Sequence, residues 1–403
     1  MKSNYGTEFY NKVVNGATVQ ILDAEQRWDL DSLHVTIHAL PAGQTLTIGY
    51  GPNADSPMVA QFKEVFDADF RLPSAGVSNP DQLPLNAVVS GGSTTFADIE
   101  VGVHRVKNDN LVWLKQPTPG FGARSSAGSL IFGNKLYVAG GVGATDFDDV
   151  WNTSDGLTWN QNAVSGAWDA RENFGFLNFA GKMWVIGGFN SANNAYYNDV
   201  WSSVDGDTWV QESPSAGFTA RAWFGACVAF GKIWIIGGWD GSTSLNDVWS
   251  SADGVTWTLV KANAEFEARD SFNANYFQGK IFIGGGENSS GDTLPNVWSS
   301  KDGEQWVEAI PNSDAAKKRD YASVVFHQNQ NGKLFFLGGY NGTNDVNEIQ
   351  GTVDGGNWSA EATPSWSARV DSTASVFNGS IYLIGGNDGN ATNDVYRTAV
   401  PVI

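Results

Sequence analysis

An all-β chain built around a six-bladed propeller is what the sequence predicts, on three observations. One unit recurs six times between Arg124 and Val400, each copy opening with an arginine: Arg124, Arg171, Arg221, Arg269, Arg319 and Arg369, spaced 47, 50, 48, 50 and 50 residues apart. An apolar run ending in a glycine pair follows, from Gly140-Gly141 in the first copy to Gly385-Gly386 in the last. Next come Asp-Val-Trp or a close variant, an Asp-Gly turn and a tryptophan. A period near fifty with short strands and turn signals marks an array of β-blades, because one such unit cannot bury its own apolar faces. Composition agrees: 47 glycines, 17 tryptophans and 23 phenylalanines beside only 17% charged residues suit turn-rich β-structure.

The third copy shows the expected strands most clearly. Arg221–Phe230 reads as strand a, Lys232–Ile236 as strand b running into Gly237-Gly238, and Asn246–Ser251 as strand c after a polar loop from Trp239 to Leu245. Asp253-Gly254 is expected to turn the chain as a tight hairpin, since that dipeptide accepts positive φ. Strand d then begins at Thr256-Trp257. The sixth copy stops after strand c (Asn393–Thr398) and has no following Asp-Gly and tryptophan. A matching strand, Leu111–Lys115, stands before the first arginine. That N-terminal strand is expected to complete the last blade as its outer strand, leaving no open edge at the seam.

Residues 1–107 lack the repeat and read as a separate domain, with 108–403 as the propeller. Leu33–Leu40 alternates with period two, and Thr45–Tyr50, Phe66–Phe70 and Ile99–Val103 read as further strands. Turn clusters such as Gly51–Asp55 separate them, so a small β-sandwich or jelly roll is expected, serving attachment or assembly.

The repeats resemble the blades of kelch propellers. The matching residues are the Gly-Gly at the end of strand b and the paired aromatics of strands c and d, such as Trp201 and Trp209. The resemblance spans about residues 108 to 400 and implies that strand a is innermost. Ser250–Trp257 also resembles the Asp-box of sialidase propellers, but lacks one residue between Asp and Gly, so the likeness extends to turn chemistry alone.

Composition excludes several function classes. A formal charge of −19 argues against nucleic acid and anionic membrane surfaces, both of which need a basic footprint. No apolar segment opens the chain as a secretory signal, and no run approaches a membrane span. The single cysteine, Cys227, permits no intrachain disulfide, so a virion or cytoplasmic location fits. No cofactor or metal is expected. His327 alone falls among the repeats, His34 and His38 share a strand face through simple alternation, and Asp146–Asp149 lacks EF-hand spacing.

Two sets of residues are candidates for ligand binding. The six arginines are expected to cluster near one mouth of the channel, with an aromatic three residues earlier in five copies: Phe121, Trp168, Phe218, Phe266 and Trp366. Guanidinium forks and aromatic faces suit an anionic or sugar ligand. Their presence in every copy nevertheless favours a structural role, pairing with a carboxylate or backbone carbonyl inside each blade. Function should live where copies differ, namely Phe189, Tyr196, Trp239 and Tyr340 after the glycine pairs, and the residues just after the arginines, among them Glu172, Trp223, Asp270 and Asp371. The first expectation is a non-catalytic recognition protein, a phage tail or capsid-surface component whose propeller binds a host glycan or protein while residues 1–107 join other virion proteins. The second follows from the resemblance: six-bladed kelch enzymes interconvert anomers of N-acetylneuraminate, which would cast Arg171 and Glu172 as clamp and general base. Neighbours on a strand point to opposite faces, which weakens that pair. A kelch protein-interaction scaffold is the third.

Overall fold

The computed structural model describes the backbone of eight strands within residues 6–105 and, with side chains, most of residues 111–398. Residues 112, 163–166, 356 and 362 lie outside the described residues, and between 311 and 331 only the backbone of Ser323–His327 is described. The chain divides into two compact units, the larger being Leu111–Thr398.

In the first unit β1 (Gly6–Asn11), β2 (Thr18–Leu22), β3 (Leu30–Ala39), β4 (Thr45–Tyr50), β5 (Met58–Lys63), β6 (Phe66–Pro73), β7 (Leu85–Ser90) and β8 (Asp98–Arg105) form two four-stranded sheets. Their orders are β1-β8-β3-β6 and β2-β7-β4-β5, and every pairing is antiparallel.

The second unit is a six-bladed propeller of four-stranded antiparallel sheets. Its innermost strands are Gly128–Phe132, Gly175–Phe179, Gly225–Ala229, Asn273–Phe277, Ser323–His327 and Thr373–Phe377. Each lies beside the next, and the last returns to the first. The expected closure is present. Trp113–Lys115 pairs antiparallel with Val395–Thr398, Thr398 opposite Trp113 and Tyr396 opposite Lys115. Leu111 and Trp113 are buried there among Phe335, Ile349, Trp366 and Leu383. Strand b is buried along its length, as in Ile233-Trp234-Ile235-Ile236, because neighbouring blades cover both its faces. Its run is therefore continuously apolar, without the alternation of a half-exposed strand. Cys227 sits in the same layer, and burial pushes its thiol up to about 12.

Three local expectations need correction. Strand a is only Gly225–Ala229, and the segment from Arg221 to Phe224 is a lead-in with Trp223 at a φ of 55°. The stretch after Gly237-Gly238 is not a polar loop: Lys232–Trp239 and Ser244–Ser251 continue past the glycines as one extended hairpin, and blade two does the same with Lys182–Asn190 and Ala195–Ser203. Asp253-Gly254 is not a two-residue primed hairpin, since only Gly254 is left-handed, at 79°. The Asp253 carboxylate instead accepts the backbone N–H groups of Val255 and Thr256 at 2.8 and 2.7 Å, while the Ser251 hydroxyl accepts from Gly254 at 2.8 Å. These bonds hold the Asp253 carboxyl down at about 2, chiefly through the Thr256 N–H. Doubly left-handed turns occur between strands a and b, for example Phe230-Gly231 at 51° and 71°.

The glycine of each Asp-Gly turn serves the ring as well as the turn. A Cβ on Gly254 would stand 2.2 Å from the Trp184 ring of the preceding blade, and one on Gly303 would stand 2.0 Å from Trp234. Gly156 meets Tyr382 in the same way, across the seam between the last and first blades.

Candidate functional site

The five described arginines of the repeat are buried inside the blades and do not ring the channel mouth as a binding surface. Arg124, Arg171, Arg221 and Arg269 are fully buried and Arg369 is 1% exposed; Arg319 lies outside the described residues. Arg171 forks onto Asp199 at 2.6 and 3.0 Å, its Nη1 also donates to the Gly187 carbonyl at 2.8 Å, and its Nε donates to the Asp169 carbonyl. Arg124 repeats this with Asp149 and Gly140, and Arg221 with Asp247 and Gly237. The carboxylate is that of the Asp-Val-Trp motif, and its second oxygen accepts the motif's own indole N–H in Trp151, Trp201 and Trp249. Arg269 meets Asn296 instead, and there the Trp298 indole lacks a hydrogen-bond partner.

The same unit explains the glycine pair. The second glycine donates its N–H to the arginine carbonyl of the following blade: Gly141 to Arg171, Gly188 to Arg221, Gly238 to Arg269, and Gly386 to Arg124 across the seam, each at 2.9 Å. Both glycines are left-handed, and a Cβ on Gly140 would lie 2.8 Å from the Arg171 carbonyl oxygen. Only glycine allows that approach. In the five copies that have one, the aromatic three residues before the arginine closes its own blade edge-on against the strand d tryptophan. Phe121 meets Trp159 at 5.2 Å, Phe218 meets Trp257 at 5.1 Å, and Phe266 meets Trp306 at 5.2 Å.

What faces the channel is the residue two after each of the five described arginines. Ser126, Asn173, Trp223, Ser271 and Asp371 all have φ between 52° and 59°. They pass backbone hydrogen bonds from blade to blade: Ser126 N–H to Asp371 O at 2.7 Å, Asn173 to Ser126 at 3.1 Å, Trp223 to Asn173 at 3.2 Å, and Ser271 to Trp223 at 2.9 Å. Below this ring a cavity of about 240 Å³ is lined by hydroxyl and amide side chains, including Ser129, Asn273, Asn275 and Thr373. Among the described residues no lysine or arginine lines it.

Two features distinguish one sector of the mouth. The first is aromatic. Phe189 and Tyr196 face each other across the extended hairpin of blade two, ring centroids 4.6 Å apart, and Trp223 of blade three packs on both at 5.5 and 6.4 Å. The Trp239 indole N–H faces the Tyr196 hydroxyl. All four are half-buried. The second is acidic. Glu172 pairs by backbone with Phe189, and Asp270 accepts the hydroxyls of Ser244 at 2.7 Å and Ser271 at 2.8 Å. Ser126 bonds both Glu172 and Asp371. Burial, reinforced by the Asp146 charge, pushes the Glu172 carboxyl up to about 7; burial and the Glu172 charge do the same to Asp371. Burial raises Asp270 as well.

Residues 83–286 match the KLHDC2/KLHL20/DRC7 Kelch-repeats domain, and residues 271–400 match the DUF6242 beta propeller domain. The chain belongs to the kelch-repeat family. No curated protein matches it.

Within this kelch propeller the sequence-derived candidates separate. Phe189, Tyr196 and Trp239 come together at one sector. Tyr340 stands on blade five, bridged to Asp345, across the ring from them. Trp223 completes the cluster, and its signal was visible: it is a tryptophan at a position filled by serine, asparagine or aspartate in the other described blades. A bulky residue in the left-handed region is strained, and such strain concentrates where a protein binds or reacts. The pairing of Arg171 with Glu172 as clamp and base is not formed, since the Arg171 guanidinium is committed to Asp199 and Gly187. Asp146 accepts from Ser191 at 2.7 Å and Asp149 is held by Arg124, so the acidic loop of blade one serves local packing.

Proposed function

We propose that this kelch protein is a recognition module, and that its propeller binds a surface glycan on the Phe189–Tyr196–Trp223 platform. The carrying observation is that three aromatic rings from two adjacent blades form one half-exposed surface at the channel mouth. Flat aromatic faces beside hydroxyl, amide and carboxyl groups suit a pyranose ring, whose C–H face is apolar and whose edge is polar. Two of the three rings stand on paired strands, so the surface is preorganised and loses little freedom on binding.

In this reading residues 1–107 are a jelly-roll attachment domain that joins the propeller to a larger assembly, such as a phage tail or capsid surface. Support comes from the strand orders β1-β8-β3-β6 and β2-β7-β4-β5, the pairing of an eight-stranded double-sheet jelly roll, an architecture found in capsid and lectin domains.

The test is a glycan array probed with the full chain and with Trp223→Ala. Binding by the parent chain, lost in a variant of unchanged melting temperature, is the expected result. Equal binding by both proteins, or none by either, removes the platform as the site.

A further inference from the structure

We infer that the saccharide held on the Phe189–Tyr196–Trp223 platform carries a free, protonated amine, and that acidic sugars are excluded from it. This rests on the glycan reading above and specifies its ligand class.

The aromatic surface is the starting point. A protonated amine over an aromatic face is attracted by the negative π-cloud, and the attraction grows when water is displaced. Neutral sugars also stack on such rings, so the rings alone do not choose between them. The rim decides. Glu172 is joined by backbone to Phe189, and the charges of Glu172 and Asp270 both act on the Tyr196 hydroxyl, so these carboxyls flank the aromatic cluster. The contacts that hold them are hydroxyls and an amide: Asn173 to Glu172 at 3.3 Å, Ser244 and Ser271 to Asp270. Asp371 faces the same channel and is held by Ser126.

Among the described residues, the arginines beside this sector are engaged elsewhere. Arg171 is bound to Asp199 and Arg221 to Asp247, both with fully buried guanidinium groups, and among the described residues no basic side chain lines the channel. A carboxylate-bearing sugar would add a further carboxylate to a sector already lined by acidic groups, which costs binding free energy. An ammonium group instead gains two carboxyls and an aromatic face at once. The upward shift of Glu172 and Asp371 agrees, since each would fall back when a cation arrives. The hydroxyls and amides of the channel then remain for the ring hydroxyls.

The experiment is calorimetric titration of the full chain at neutral pH with three probes: a β-1,4-glucosamine tetrasaccharide, its fully N-acetylated counterpart, and an oligogalacturonate. The amine form should bind roughly tenfold tighter than the acetylated form. That preference should shrink as salt is raised, and the acidic oligomer should not bind. Asp270→Asn should narrow the gap between the first two probes, while the salt titration tests the same point on the unaltered protein. Equal affinity for the amine and acetylated forms overturns the inference and leaves the glycan reading standing. Binding by none of the three, or binding only of a lysine-rich peptide run in parallel, overturns both.

Discussion

Trp113 stands edge-on to Trp366, ring centroids 6.0 Å apart and planes at 89°. The same geometry joins Phe121 to Trp159 and Phe218 to Trp257 within continuous blades. A residue from the N-terminal side of the propeller therefore fills the strand d tryptophan site of the last blade. Trp113→Ala should lower stability by roughly 3–5 kcal/mol, as for other buried tryptophan truncations. Deleting residues 1–116 should destabilise the ring and deleting 1–106 should spare it. Identical thermal melts for the two truncations would remove the closure argument.

The forked pair of Arg171 and Asp199 should be costly to break and cheap to replace. Arg171→Ala leaves a shielded carboxylate without its counter-charge, a loss of roughly 3–5 kcal/mol. The double change Arg171→Met with Asp199→Leu should recover most of that loss in a denaturant titration. A double variant as unstable as the single one would mean that the pair acts through something other than charge.

Gly254→Ala should destabilise by roughly 1–3 kcal/mol or more, because the position is left-handed and its Cβ would enter the Trp184 ring. Near-UV circular dichroism should register the change, since Trp184 must move. Gly231, also left-handed but with open space around it, is the control, and Gly231→Ala should cost less.

Stability should be greatest in the acidic range. Glu172 and Asp371 have native values of about 7 against 4.5 and 3.8, so the folded chain binds more protons than the unfolded one between about pH 4 and 7. Their contribution falls as pH rises through that window and levels off above it. Asp155 and Asp253, held at about 2, act oppositely: the stability they supply is present above about 4 and is lost as pH drops toward 2. Melting temperature should therefore peak near the ordinary carboxyl range and decline toward neutrality. Glu172→Gln should flatten the decline; an unchanged slope would mean that the rim carboxyls do not titrate there.

Ligand binding should separate residues that the sequence had grouped. Trp223→Ala is expected to weaken binding by at least about 2 kcal/mol, the scale of an aromatic anchor. Trp239→Ala should have a smaller effect, through the Tyr196 hydroxyl it faces. Tyr340→Ala should leave affinity unchanged, since it stands across the ring. Comparable losses for Tyr340 and Trp223 would move the site to the whole mouth.

The number of blades, their order and the strand that closes them follow from the sequence alone. They rest on local chemistry repeated six times: glycine pairs, Asp-Gly turns and apolar runs act over a few residues, so each copy reports the same element. The structural role of the arginines was also legible, because a residue shared by every blade cannot by itself mark one asymmetric site. Only the tertiary structure decided which side chains face the channel. Trp223 and Phe189 belong to different blades, and nothing in their spacing shows that an extended hairpin brings one ring over the other. Nor could the rim carboxyls be ranked from sequence. Glu172 and Asp371 depart from ordinary carboxyls through burial and mutual repulsion about Ser126, which exist only once the first, second and last blades meet.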